Sequence, residues 1–270
     1  MTREVTRNKQ QVTSHDDRSA TIGEAASRDS IRTRPAFYAL PGGSWRDYVT
    51  LLHMPYTLWH VSYVVLGAAL SPAVRYDRLG ATLLAFFLAL GISGHTLDEL
   101  SGRPLRTAVP RAVLVALGAG GLAAAVGMGI AGAAFVSPWL LVFVAFGAFI
   151  APAYNLEWFR GRFHSDFWFA LSWGAFPFLA AYWVSAEEFE LSAPLGATGV
   201  FLLSLAQRTL SRRVRDLRRN VRSIEGRLLY DDGAAEDIDR RWALAVDERA
   251  LMLLAAMCVT TAVAVLAARV

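Results

Sequence analysis

The chain has 270 residues, 54% hydrophobic and 19% charged, with a mean hydropathy of +0.35. That balance is too apolar for a water-soluble domain and too charged for membrane spans alone, so apolar spans and charged loops must alternate. A single cysteine, Cys258, excludes an intrachain disulfide framework or a cysteine metal centre, and a net charge of +4 gives no reason to expect a nucleic-acid partner.

Residues 1–34 are polar, charged and aperiodic, without an apolar core or a small-residue cleavage site, and read as a disordered cytoplasmic tail rather than a signal peptide. Residues 35–50 carry Phe37, Tyr38, Trp45 and Tyr48 beside Arg46, the composition expected of a segment lying among lipid headgroups. From 51 to 270 the pattern is that of a transmembrane helical domain, since a span needs about 20 apolar residues to cross ~30 Å of hydrocarbon. About seven stretches qualify: Leu51–Leu70, Leu79–Leu97, Ala112–Phe135, Val136–Ala153, Phe167–Ala186, Leu191–Gln207 and Ala250–Val270. A turn at Ser137-Pro138 separates the third from the fourth, and their combined length argues for two spans. The glycines of the third (Gly118, Gly120, Gly121, Gly127, Gly129, Gly132) would let helix backbones approach closely.

Arginines fill the N-terminal region, the loops after spans two and four, and the segment after span six, whereas the loop after span three has no basic residue and the loop after span five holds Glu187, Glu188 and Glu190. The positive-inside rule then places the N-terminus in the cytoplasm and makes the chain a multi-pass protein of the plasma membrane. The ends of spans two, four and six and the start of span five share the cytoplasmic face. No Asp, Glu, Lys or Arg sits near the middle of a span, which argues against an ion-coupled carrier; His60 is the one strongly polar residue there.

Three polar clusters occupy that face. At the end of span two, helical spacing puts His95, Asp98 and Glu99 on one side, a pair of carboxylates suited to Mg²⁺ or, more simply, a solvated helix end paired with Arg103. After span four come Tyr154, Asn155, Glu157, Arg160, Arg162, His164 and Asp166, which read singly as helix-start and interfacial residues and together as part of a site. After span six, Leu210, Val214, Leu217, Val221, Ile224 and Leu228 recur at three- and four-residue steps, predicting an amphipathic helix. Its Arg208, Arg212, Arg213 and Arg215 suit either anionic lipid headgroups or a diphosphate, and its spacing would also fit self-association. Asp231-Asp232-Gly233 predicts a turn, and 234–249 a helix returning to the last span, so that 208–249 forms an Arg-rich helical cytoplasmic insertion.

These residues resemble the UbiA superfamily of intramembrane prenyltransferases. The resemblance rests on Asp98-Glu99 followed by Gly102-Arg103-Pro104-Leu105, on Ala153-Tyr154-Asn155-Leu156, and on Phe167–Trp183 with Gly174 and Pro177, within about residues 51–220. Gly94 and His95 stand where the family has Asn and its first acid, Gly102 replaces its last acid, and the second acidic motif keeps only Asp216, with Asn220 four residues on. The resemblance implies an all-α bundle that transfers a polyprenyl group from an allylic diphosphate to a lipophilic or aromatic acceptor. It implies Mg²⁺ on Asp98, Glu99 and Asp216, and catalytic roles for Asp98, Glu99, His95, His164 and Asp166. Substrate contacts would come from Arg103, Tyr154, Asn155, Glu157, Arg212, Arg215 and Asn220, with Tyr56, Trp59, Trp168 and Trp173 as candidate aromatic faces. The alternative is a catalytically silent relative that binds an isoprenoid or membrane lipid, or scaffolds a complex.

Overall fold

The computed structural model describes residues 34–270, so the expected tail at 1–33 lies outside the described residues. A short helix, α1 (Ser44–Leu51), leads to α2 (Met54–Leu70), which starts with Pro55 in its first turn. Then follow α3 (Tyr76–Leu100), α4 (Arg111–Phe135), α5 (Leu140–Asn155), α6 (Asp166–Ala186), α7 (Ser192–Arg219) and α8 (Arg240–Ala267). Four of these, α3, α4, α6 and α8, are long and apolar enough to cross a membrane; α5 is apolar but shorter. At 1.5 Å per residue, the 28 residues of α8 reach about 42 Å and the 16 of α5 about 24 Å.

The bundle is organised around α2, which packs against α6, α7 and α8. Trp59, Tyr63 and Val64 on α2 are fully buried, and Trp59 Nε1 donates to Tyr63 Oη at 2.5 Å. Ser204 on α7 donates to the same hydroxyl at 3.3 Å, so the polar atoms of these core residues are paired within the apolar interior. Glycine sets the closest approach: a Cβ on Gly67 would stand 2.1 Å from the carbonyl oxygen of Phe178 on α6. A Cβ on Gly121 of α4 would lie 3.0 Å from Leu88 O on α3, so the expected close packing of this glycine-rich helix is present.

Two helices contain π-type turns, Phe87–Gly94 in α3 and Ala170–Ala175 in α6. Each inserts a residue into the helical register, a device common at functional sites. The first ends one residue before His95 and so sets the direction in which the last turns of α3 present their side chains.

The region after α7 departs from the expected continuous helical insertion. Helix α7 stops at Arg219, where Asn220 turns its amide onto the Asp216 carboxylate at 2.8 Å. The chain then forms an antiparallel hairpin, β1 (Gly226–Leu229) and β2 (Ala235–Ile238), and α8 starts at Arg240 behind the Asp239 cap. The Asp231-Asp232-Gly233 turn is where it was expected, with Gly233 at φ 83°, but strands rather than helix flank it. β-branched Val221 and Ile224 and the glycine at 226 are poor helix continuers, and turn chemistry outweighs a periodicity that three- and four-residue steps suggested. Leu210, Val214 and Leu217 pack with Leu244 and Leu251, so α8 of the same chain covers the stripe that suggested self-association.

Because the Gly67 contact meets rigid backbone, Gly67→Ala is expected to overpack the α2–α6 seam and cost about 1–3 kcal/mol. Thermal unfolding of the detergent-solubilised protein should show a clear fall in Tm; an unchanged Tm would contradict the packing described.

Candidate functional site

A cavity of about 290 Å³ lies where α2, α3, α5, α6 and α7 meet. Its lining includes His53 and His60 from the start of α2, His95 and Asp98 from α3, Tyr154 and Asn155 from α5, and His164, Phe169 and Trp173 around α6. Gln207, Arg208, Arg215 and Arg219 line it from α7, and residues 35–38 from the segment before α1. Residues from all three polar clusters therefore do meet.

The meeting is selective. His95 and Asp98 face the cavity, but Glu99 is fully buried elsewhere, its Oε2 accepting the backbone N–H of Leu105 at 2.9 Å and its Oε1 the N–H and hydroxyl of Thr107 at 2.9 and 2.8 Å. At 3.6 residues per turn, Asp98 and Glu99 fall about 60° and 40° to opposite sides of His95, an arc wide enough to be divided between a cavity and a loop. Helical spacing had placed them on one face; the packing separates them. Arg103 turns away too, donating to Thr107 O and Val109 O at 2.8 Å.

Asp166 lies outside the cavity lining, where Arg208 Nε at 3.2 Å and Arg212 pair with its two oxygens. Its anion is thus spent on holding α7 against the start of α6, and it is not free to act as base or ligand. Arg212 is exposed, and Asp216 and Asn220 bond to each other in an exposed position outside the cavity. Glu157 stands on the exposed rim, in a turn where Glu157, Phe159 and Arg160 all take left-handed backbone angles.

The Mg²⁺ set expected on Asp98, Glu99 and Asp216 does not fit these residues. Both oxygens of Glu99 are occupied by donors, Asp216 is outside the cavity, and no cluster of three or more metal-ligating acids, histidines or cysteines occurs among the described residues. Asp98 alone of the three faces the cavity.

What the cavity holds instead is positive charge and unpaired polar atoms. Among the described residues neither Arg215 nor Arg219 has a carboxylate within ion-pair distance. Burial, then the neighbouring Arg208 charge, lowers the Arg215 pKa from its ordinary value. Four buried polar atoms of the lining, His53 Nε2, Tyr154 Oη, Gln207 Oε1 and Arg219 Nε, have no partner among the described residues. A buried polar atom without a partner is costly, and four on one cavity mark a place built to contact something polar.

The histidines are held in place by packing and hydrogen bonds. His53 stacks on His95 with ring centroids 4.0 Å apart and planes at 21°. His164 stacks on Tyr154 at 4.5 Å and its Nδ1 bonds to Tyr154 O at 3.0 Å. The Arg208 guanidinium lies 5.2 Å from the centre of the Phe169 ring.

Trp173 also borders a second, apolar space of about 560 Å³, open between α3, α4, α5 and α6 and walled by Leu90, Gly129, Phe143, Gly147 and Phe176 among others. A polar cavity and an apolar groove thus share one wall.

His53, Arg219, Tyr38 and Gln207 were not expected in the site. The spacing of His53, Thr57 and His60, four and three residues, was a usable signal for one helical face. Arg219 and Gln207 carried no such mark within their arginine-rich run.

No family model, no curated protein and no solved structure matches the chain.

Replacing Glu99 with Ala is expected to leave two backbone N–H groups and a hydroxyl unpaired in the interior, at a cost of about 3 kcal/mol or more. Limited proteolysis should then cut within 101–109, whereas Asp98→Asn should leave that loop protected. Equal protease resistance in both variants would contradict the division of the two carboxylates.

Proposed function

We propose that the chain is an intramembrane prenyltransferase-like transferase whose cavity holds the diphosphate of an isoprenoid substrate. The observation that carries this reading is that Arg215 and Arg219, which have no carboxylate partner among the described residues, share one cavity with four buried polar atoms that have no partner among those residues. Guanidinium donors match phosphate oxygens in geometry as well as charge. The adjoining apolar groove would take the hydrocarbon tail, with Trp173 between the two parts.

In this reading α2 to α8 cross the plasma membrane with the N-terminus and the cavity on the cytoplasmic side, as the arginine distribution implies. As the allylic C–O bond breaks, negative charge develops on the departing diphosphate, and Arg208, Arg215 and Arg219 offset it. The rings of Tyr154, Phe169 and Trp173 line the same cavity and can face an allylic cation. No step depends on a metal held by Glu99 or Asp216. A lipid-binding or scaffolding protein without turnover is the second reading, favoured by Asp98 being the only one of the expected metal-ligand carboxylates in the cavity.

The test uses full-length protein in lipid nanodiscs with geranylgeranyl diphosphate, with and without Mg²⁺. Arg215→Gln should weaken binding about 10- to 100-fold, the loss expected for charged hydrogen bonds worth ~1.5–3 kcal/mol. Asp216→Asn should bind like wild type. Diphosphate release by the wild type supports the transferase reading; tight binding without release leaves the silent binder; no binding removes the diphosphate site and leaves only the scaffold.

A further inference from the structure

Of the four histidines lining the cavity, three make hydrogen bonds that fix which ring nitrogen carries the proton, because a carbonyl oxygen, or a hydroxyl whose proton is already given to one, can only accept. His164 donates from Nδ1 to Tyr154 O at 3.0 Å, leaving its Nε2 to accept from Arg208 at 3.4 Å. Thr57 donates its hydroxyl to Leu52 O at 2.6 Å, so the same oxygen accepts from His95 Nε2 at 3.1 Å. The free lone pair of His95 is then on Nδ1, beside the ring's own attachment to its backbone.

His60 differs from both. Its Nδ1 donates to Trp173 O at 2.8 Å, so the neutral ring carries its lone pair on Nε2, the distal nitrogen. No described residue bonds to Nε2, although the ring is almost wholly buried and lines the cavity. The edges of Tyr63 and Phe169, at 5.8 and 5.6 Å, hold the ring in this orientation. Trp173 O lacks its usual helical donor because the residue four positions on is Pro177, which has no N–H.

We propose that His60 is the general base of the transfer, its Nε2 taking the proton that the acceptor loses at the floor of the cavity. This rests on the transferase reading above. The acceptor class is a compound with an O–H or N–H, of which water is the simplest. The allylic C–O bond breaks with its electron pair going to the diphosphate oxygen. The acceptor's lone pair forms the new bond to the allylic carbon, and the acceptor's proton moves to His60 Nε2. The resulting imidazolium keeps its Nδ1–H bond to Trp173 O, which strengthens as the ring becomes charged. The proton leaves to solvent with the products.

Three proteins in nanodiscs test this: wild type, His60→Gln, whose amide can still donate to Trp173 O but offers no basic nitrogen, and His60→Ala. Binding of inorganic diphosphate and conversion of geranylgeranyl diphosphate with water as acceptor are measured for each. Both variants should bind diphosphate as wild type does and convert substrate about 100-fold more slowly, the usual size of a general-base contribution. Added imidazole should restore conversion by His60→Ala but not by His60→Gln, where the amide fills the space. Conversion by His60→Gln close to wild type would overturn the proposal, as would a loss in His60→Ala that imidazole does not relieve while binding and Tm are retained. A wild type that binds without converting would overturn the transferase reading and this one with it, which distinguishes it from failure of His60 alone.

Discussion

The Glu99 carboxylate is buried in full, and the three donors it receives from Leu105 and Thr107 are what make that burial tolerable. The bond works in both directions. It ties the loop between α3 and α4 back onto the last turn of α3, and it fixes the rotation of that turn. With Glu99 committed to the loop, the only way left for His95 and Asp98 to face is the cavity. Asp47 of α1 adds a second tie, accepting the Ala108 N–H at 2.8 Å. Arg103 closes the loop upon itself through Thr107 O and Val109 O. A segment that reads like a metal motif in the sequence therefore acts in large part as a hinge pin for the helix end.

The same economy of charge runs through the rest of the site. Asp166 engages Arg208 and Arg212, Glu248 engages Arg218 at 2.5 Å, and Arg213 reaches Asp247 at 3.4 Å. Each pair fastens α7 to a neighbour. Among the described residues Arg215 and Arg219 are left without a carboxylate and line the cavity, where Asp98 and the rim residue Glu157 are the described residues of opposite sign. Cations held in a partly buried, water-poor space attract an anion more strongly than they would in bulk water. At the opposite end of the bundle, Arg78 pairs with Glu187 and Arg269 donates to Ser71 O and Pro72 O, so these two cations are satisfied within the protein.

Much of the architecture was legible in the sequence because apolar runs of about 20 residues have few other uses. Helices α2 to α6 begin and end within a few residues of the expected stretches, and the Ser137-Pro138 break separates α4 from α5 as its turn residues imply; α7 runs on to Arg219 and α8 starts already at Arg240, well beyond the expected bounds. The hairpin was not legible: stepped spacing of Val221, Ile224 and Leu228 fits a helix face as well as it fits a short loop and one strand. The site was legible by region and not by residue. Spacing shows that His95, Asp98 and Glu99 lie within one arc, but which part of the arc faces a cavity depends on a loop that folds back from 105 and 107. Likewise, an arginine-rich run gives no hint that Arg208 and Arg212 are paired while Arg215 has no carboxylate partner among the described residues. That distinction comes from where α6 places Asp166.

The central claim is that the cationic cavity receives a diphosphate. An experimental structure of the protein with geranylgeranyl thiolodiphosphate, which resists cleavage, tests it most directly. The account predicts phosphate oxygens within hydrogen-bond distance of Arg215 and Arg219 and the hydrocarbon tail beyond Trp173. A diphosphate bound to the exposed arginines around Arg212 and Arg213, with the cavity filled only by water, would contradict it.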